Sequence, residues 1–269
     1  MSIWQAILVG IVQGITEFLP ISSDGHLVLV DALLKLPMHG RDALGFDILL
    51  HAGSLLAILL VYRTIWIDLI INAVRMEKRA LRLIGLLLVA TIPGVIAGLL
   101  FEDTITSMRS FTAAGLGFIV TGLVLIAGEE IGRRRALHND DLSSICASQA
   151  LLIGIAQAIA ILPGVSRSGC TISTGRALGL PRSAALDFSF LMAAPIIAGA
   201  VGKTMIDAWL GQVIFPVASV SWAGFITSFI VSMGAILLLK LIVVKRSLAV
   251  FSGYVLILGL ILVVADRLA

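Results

Sequence analysis

Three side chains stand where an apolar chain has least use for them: Glu17, His26 and Arg167, each at a break between hydrophobic runs. Charged groups are costly at membrane depth and persist there mainly where they act. Glu17 and His26 flank Phe18-Leu19-Pro20-Ile21-Ser22-Ser23-Asp24-Gly25, and Arg167 sits in Leu162-Pro163-Gly164-Val165-Ser166-Arg167-Ser168-Gly169-Cys170. A guanidinium fork beside the hydroxyls of Ser166 and Ser168 suits phosphate oxygens. Histidine serves as base, acid or nucleophile near neutral pH, and glutamate holds a divalent cation or orients the histidine. Gln13, four residues before Glu17, shares its helix face. These are the groups that hydrolysis of a phosphoanhydride requires, with water, His26 and Ser23 all open as the nucleophile.

The two breaks are near copies of one another. Gly10-Ile11-Val12-Gln13 leads into the first and Gly154-Ile155-Ala156-Gln157 into the second, 144 residues later. A helix that starts again after such a break presents unpaired N–H groups and the positive end of its dipole, which together attract an anion. Ser22, Ser23, Ser166 and Ser168 suit phosphate contact and also suit the capping of those helices. His51, four residues after Asp47, reads as a packing histidine that Asp47 can fix.

The elements that carry these tips must be membrane helices. Of 269 residues, 59% are hydrophobic and 13% charged, with a mean hydropathy of +1.10, which predicts an all-α polytopic membrane protein. Cys146 and Cys170 stand apart from any zinc-spaced cluster, so redox chemistry and structural zinc are not expected. The net charge of +3 sits in short loops between apolar spans, which points to membrane topology and membrane lipids and away from nucleic acid. Met1-Ser2-Ile3-Trp4 lacks the basic start of a cleaved signal, so the first apolar segment is expected to remain.

Six stretches are long enough to cross: Phe46 to Tyr62, Leu83 to Phe101, Phe111 to Ala127, Leu186 to Val201, Trp222 to Leu239 and Leu248 to Val264. Four are too short: Ile3 to Leu19, His26 to Leu36, Gln149 to Leu162 and Thr171 to Leu178. The short pieces flank the two breaks, so they are predicted to form two re-entrant helical hairpins. Ile65 to Val74 and Met205 to Phe215 are expected as interfacial helices.

One set of loops carries thirteen bases: Arg63, Arg75, Lys78, Arg79, Arg82, Arg133, Arg134, Arg135, Arg176, Arg182, Lys240, Lys245 and Arg246. The other carries five: Lys35, Arg41, Arg109, Lys203 and Arg267. The richer set belongs on the cytoplasmic side. The first hairpin then enters from outside and the second from inside. The chain becomes a single integral membrane domain of two inverted-topology repeats, about 1–135 and 145–269, with the tips facing each other. Small residues at Gly115-Leu116-Gly117 and from Gly94 to Gly98 allow close helix contacts, within the bundle or in a homodimer.

The run Gln13-Gly14-Ile15-Thr16-Glu17 followed by Pro20-Ile21-Ser22-Ser23-Asp24-Gly25-His26 resembles the Glu/Gln-x-x-x-Glu and Pro-x-Ser-Ser-x-Gly-His motifs of the bacterial undecaprenyl-diphosphate phosphatase (bacitracin resistance) family. Pro163-Gly164-Val165-Ser166-Arg167-Ser168-Gly169-Cys170-Thr171 is similar to that family's Pro-Gly-x-Ser-Arg-Ser-x-x-Thr motif. The resemblance covers essentially the whole chain. It implies a bacterial inner-membrane enzyme that hydrolyses undecaprenyl diphosphate to the monophosphate and recycles the carrier lipid for cell-wall synthesis. A divalent cation, Mg2+ or Ca2+, with Glu17 as its ligand, and a site opening to the periplasmic face are implied as well. Matched position by position, Glu17, His26 and Arg167 are the catalytic residues, with Gln13, Ser22, Ser23, Asp24, Ser166, Ser168 and Thr171 around the substrate. Gln13 stands where many members have a carboxylate, and Asp24 where threonine is common. The rival function is a polyprenyl-phosphate transporter or flippase, since paired broken helices in inverted repeats also build alternating-access carriers.

Overall fold

The computed structural model describes residues 1–36, 41–135, 142 and 145–268. Two expectations reach beyond it: the side chain of Arg41, counted among the outer bases, and Ala269, at the end of the second repeat, lie outside the described residues. Among the described residues the regular elements are eleven helices and no strands.

In chain order they are α1 (Ile3–Thr16), α2 (Ser23–Leu34), α3 (Arg41–Val61), α4 (Arg63–Val74), α5 (Lys78–Ser107), α6 (Phe111–Arg135), α7 (Ala147–Ile159), α8 (Arg167–Ala177), α9 (Arg182–Trp209), α10 (Ala218–Lys245) and α11 (Val250–Leu268). Six of them, α3, α5, α6, α9, α10 and α11, are long and apolar enough to cross a membrane. Four contain an expected span whole; α3 stops one residue short of Tyr62, and α11 starts two residues after Leu248. The four short pieces become α1, α2, α7 and α8, of 14, 12, 13 and 11 residues. At 1.5 Å per residue none reaches the roughly 30 Å of a bilayer core.

The short helices are closed off by matching devices. Ser2 caps α1 in a capping box with Gln5, whose Nε2 also donates to the carbonyl of Leu34 at the end of α2, 3.3 Å away. In the second half, Gln149 Oε1 accepts from the backbone N–H of Cys146 at 2.9 Å, and its Nε2 donates to Leu178 O at 3.1 Å. One glutamine thus ties the start of each pair to its end.

The expected interfacial helix at Ile65 to Val74 is α4. Its counterpart at Met205 to Phe215 does not form as a separate element. Helix α9 continues through Met205 to Trp209 and ends at Gly211, whose φ of +74° stops it. Nothing between Lys203 and Trp209 breaks the α9 ladder, so the composition boundary is not a structural one.

The core gathers Phe18 beside Phe190 and Tyr62 between α3, α8 and α9, and a second cluster places Leu19 and Ile21 against Ala114, Phe118 and Val255. Apolar residues also cover the outside, with Leu88, Leu99, Leu123, Ile230, Leu241 and Ile257 more than half exposed, as a lipid-facing surface requires. The glycines of Gly115-Leu116-Gly117 are used within the chain: Gly115 packs on Gly259, and Gly117 on Pro163 and Gly164.

The closest approach is where α6 meets the turn before α8. Gly164 has φ +80°, and a Cβ there would sit 2.1 Å from Ala114 O. Gly164→Ala is therefore expected to lower the thermal unfolding midpoint in detergent by more than about 5 °C, through backbone strain and overlap together. An unchanged midpoint would show that this tip is not held as described.

Candidate active site

Both breaks are rebuilt as helix starts. Ser22 caps α2 and accepts from Gly25 N at 3.4 Å, while Ser166, 144 residues on, caps α8 and accepts from Gly169 N at 3.1 Å. The second turn is clamped by Thr121 of α6, whose hydroxyl donates to Gly164 O at 3.2 Å and accepts from Ser166 N at 2.9 Å. The two tips touch. Ser168 Oγ donates to Leu19 O at 3.0 Å, and a Cβ on Gly25 would lie 3.0 Å from Gly164 Cα.

Across that contact runs the central ion pair. Arg167 Nη2 donates to Glu17 Oε1 at 2.5 Å, joining residues 150 positions apart, with 15% and 5% of their side chains exposed. Glu17 Oε2 accepts from Ser23 Oγ at 2.7 Å and from Gln13 Nε2 at 3.0 Å. The other guanidinium nitrogen, Arg167 Nη1, is buried without a hydrogen-bond partner among the described residues. A buried donor left open is expensive unless something else fills its place.

These groups line a cavity of about 200 Å³. Glu17, Ser22, Ser23, Asp24, Ser166 and Arg167 form its polar wall, and Ile161, Leu162, Val165, Ile196, Ile197 and Ala200 part of an apolar one. Of the ten residues expected at the site, four stand behind this wall. Gln13 is fully buried and supports Glu17. Ser168 is committed to Leu19 O, and Thr171 bonds Arg167 O at 2.9 Å and Ser189 Oγ at 2.6 Å. The fourth is His26. Its Nδ1 donates to Ser22 O at 2.6 Å, its Nε2 faces Tyr254 Oη at 2.7 Å, and its ring is packed between Phe118 and Tyr254.

The imidazole in the wall is His51. Its Nε2 lies 3.6 Å from Glu17 Oε2, and its Nδ1 donates to the carbonyl of Asp47 at 2.8 Å. The Asp47 to His51 spacing foretold the contact but not the atom, since the backbone oxygen and not the carboxylate holds the ring. Asp47 instead pairs with Arg109 of the α5–α6 turn, which also binds Asp24. Both His51 and Arg109 were legible only as packing and topology, because nothing along their own helices marks what they face.

A cation was expected on Glu17. Both carboxylate oxygens of Glu17 are already engaged, and among the described residues no three His, Cys, Asp or Glu side chains converge to cage an ion. The wall nevertheless carries two carboxylates, Glu17 and Asp24, against one guanidinium, Arg167. The carboxylates of Glu17 and Asp24 are oxygen donors of the kind that a divalent ion such as Mg2+ takes.

The family described as Bacitracin resistance protein BacA matches residues 6–261. The chain is similar to an undecaprenyl-diphosphatase of Pelotomaculum thermopropionicum, 41% identical over 271 residues covering 98% of this chain and 97% of the relative. A protein of the same name from Caldicellulosiruptor bescii is 37% identical over 257 residues, 94% of each chain. Another from Moorella thermoacetica is 37% identical over 265 residues, 98% of this chain and 97% of the relative. With the family match running from residue 6 to residue 261, through both tips, the chain belongs to the bacitracin resistance protein BacA family.

Proposed function

We propose that this protein hydrolyses undecaprenyl diphosphate to undecaprenyl phosphate and inorganic phosphate, recycling the lipid carrier of cell-wall synthesis. The observation that carries the reading is the Arg167 guanidinium, paired with Glu17 and with Nη1 unpartnered among the described residues, in one pocket with Ser23 and Ser166 that also has an apolar wall. The terminal phosphate occupies the polar wall, and the prenyl tail leaves along Ile161, Leu162 and Ile196. The relatives carry the name of a hydrolase, so the carrier reading is not favoured.

Ser23 is the nucleophile best placed by distance, with its hydroxyl hydrogen directed at Glu17 Oε2 2.7 Å away. Its oxygen attacks the terminal phosphorus as the proton passes to Glu17. The bond from that phosphorus to the bridging oxygen breaks, and the electron pair leaves on the lipid monophosphate. Water then adds to the phosphoserine, releasing phosphate and returning the hydroxyl. Arg167 and the α2 and α8 N-termini stabilise charge on the transferred group. Glu17 would hold a divalent cation, Mg2+ or Ca2+, which would supply further charge neutralisation. His26 acts through Ser22, as a positioning residue.

The finer architecture belongs to the same proposal. The α1–α2 and α7–α8 pairs are re-entrant hairpins of one membrane domain built as an inverted repeat. Three likenesses support this: the Ser22 and Ser166 caps, the Gln5 and Gln149 ties, and the packing of α1 on α10 and of α7 on α5. The count of thirteen bases against five supports a pocket that opens towards the outer face of the bacterial inner membrane.

The test is phosphate release from farnesyl diphosphate by the purified protein in detergent with Mg2+ or Ca2+. Release is expected, falling at least about tenfold on chelation of the cation, with labelled phosphate trapped on serine at short times. A wild type that releases no phosphate with either cation sinks the reading.

A further inference from the structure

Arg109 leaves the end of α5 and reaches over two carboxylates at the pocket mouth. Its Nε lies 3.0 Å from Asp24 Oδ1, Nη2 also binds that oxygen, and Nη1 lies 3.2 Å from Asp47 Oδ2. Over a third of the Arg109 and Asp24 side chains is exposed, and half-exposed pairs of this kind add little to stability. The position of the cluster says more than its strength. Asp24 lines the pocket and sits in the first turn of α2, where its carboxylate competes with a ligand anion for the helix N-terminus. Arg109 holds both Asp24 contacts on one oxygen and ties the residue to Asp47, whose carbonyl orients His51 on the adjoining wall.

The charge balance shows what the tie does. Glu17, Asp24 and Asp47 give three negative charges, and Arg167 and Arg109 give two positive ones, so these five side chains together sum to −1. Without Arg109 the sum becomes −2, in a place that must admit a multiply charged phosphate.

We propose that Arg109 is a specificity-determining positioning residue. It cancels Asp24 and holds it aside, so that the diphosphate head group, and not the protein's own carboxylate, takes the N-terminus of α2. The role rests on the phosphatase reading. It also accounts for how this chain tolerates an aspartate at the tip, since the carboxylate that would repel substrate carries its own counter-ion.

The experiment compares wild type, Arg109→Gln, Arg109→Lys and the double variant Asp24→Asn/Arg109→Gln on farnesyl diphosphate with Mg2+ present. Arg109→Gln is expected to raise KM about tenfold or more while kcat stays within about twofold, with the effect shrinking in high salt. Arg109→Lys, which keeps the charge and loses the fork, falls between. The double variant returns KM to within about threefold of wild type, because the uncancelled carboxylate is gone. A merely structural tie predicts the opposite, since both variants lack it and both fail alike. An unmoved KM, a loss confined to kcat, or no recovery in the double variant overturns the proposal. Inorganic pyrophosphate affinity, measured with Mg2+ on the same four proteins, should follow the same order. If wild type releases no phosphate while that order holds, the phosphatase reading fails and the charge role stands.

Discussion

Replacing Arg167 with alanine lowers phosphate release by at least about a thousandfold, the scale at which arginines that stabilise a transferring phosphoryl group act. The side chain has two separate tasks. Nη2 neutralises Glu17 across the contact between the tips at 2.5 Å, and Nη1, unpartnered among the described residues, is the nitrogen left to bind phosphate once the pocket is filled. Lysine is a single point charge and cannot do both, so Arg167→Lys recovers less than about a tenth of the rate. Alanine also strands the buried Glu17 carboxylate, and a buried charge without its partner destabilises by about 3–5 kcal/mol. Chemistry and folding are separated by Glu17→Gln/Arg167→Met, which removes both charges. Its thermal midpoint returns towards wild type while its activity stays lost. If Arg167→Ala keeps a rate within tenfold of wild type, the guanidinium is a structural pin and the phosphate site lies elsewhere.

The architecture around that arginine was largely readable before any coordinates, because each feature is written along the chain. Span length follows from bilayer thickness, so all six long helices fall on the expected stretches, within one or two residues where they stop short of an end. Pro20 and Pro163 with their serines mark the breaks, and capping chemistry makes them helix starts. What the sequence does not carry is the direction of a side chain across helices. Thr171 belongs to the same motif as Arg167, yet one turn further on it faces α9 and bonds Ser189, behind the pocket. His51 looked like packing because its neighbours in sequence are apolar, whereas its Nε2 meets Glu17 from a different helix. Arg109 looked like an outer-loop charge because its partners, Asp24 and Asp47, stand 85 and 62 residues away. The Met205 to Phe215 expectation failed for the converse reason. A change in composition marks where the helix surroundings change, and only Gly211 ends the helix itself.

His26 provides the sharpest separation between a group that reacts and one that positions. Ser22 has φ +67°, a conformation that costs a non-glycine residue about 1–3 kcal/mol unless neighbours impose it. Its carbonyl is held by His26 Nδ1 at 2.6 Å, and the next residue is Ser23, whose hydroxyl points at Glu17. Releasing Ser22 therefore moves Ser23. His26→Ala is expected to reduce phosphate release about a hundredfold or more, since a displacement of about 1 Å at the reacting atom has that effect. The amide nitrogen of asparagine falls where Nδ1 stands, so His26→Asn keeps the bond to Ser22 O and most of the activity. His26→Gln places its amide at the Nε2 position and does not rescue. Tyr254→Phe removes only the partner of Nε2 and leaves the rate within about threefold. If the imidazole instead exchanged a proton with substrate, asparagine and glutamine would be equally inactive. The ranking alanine and glutamine low, asparagine and Tyr254→Phe high, is produced only when the ring acts through the backbone of the tip.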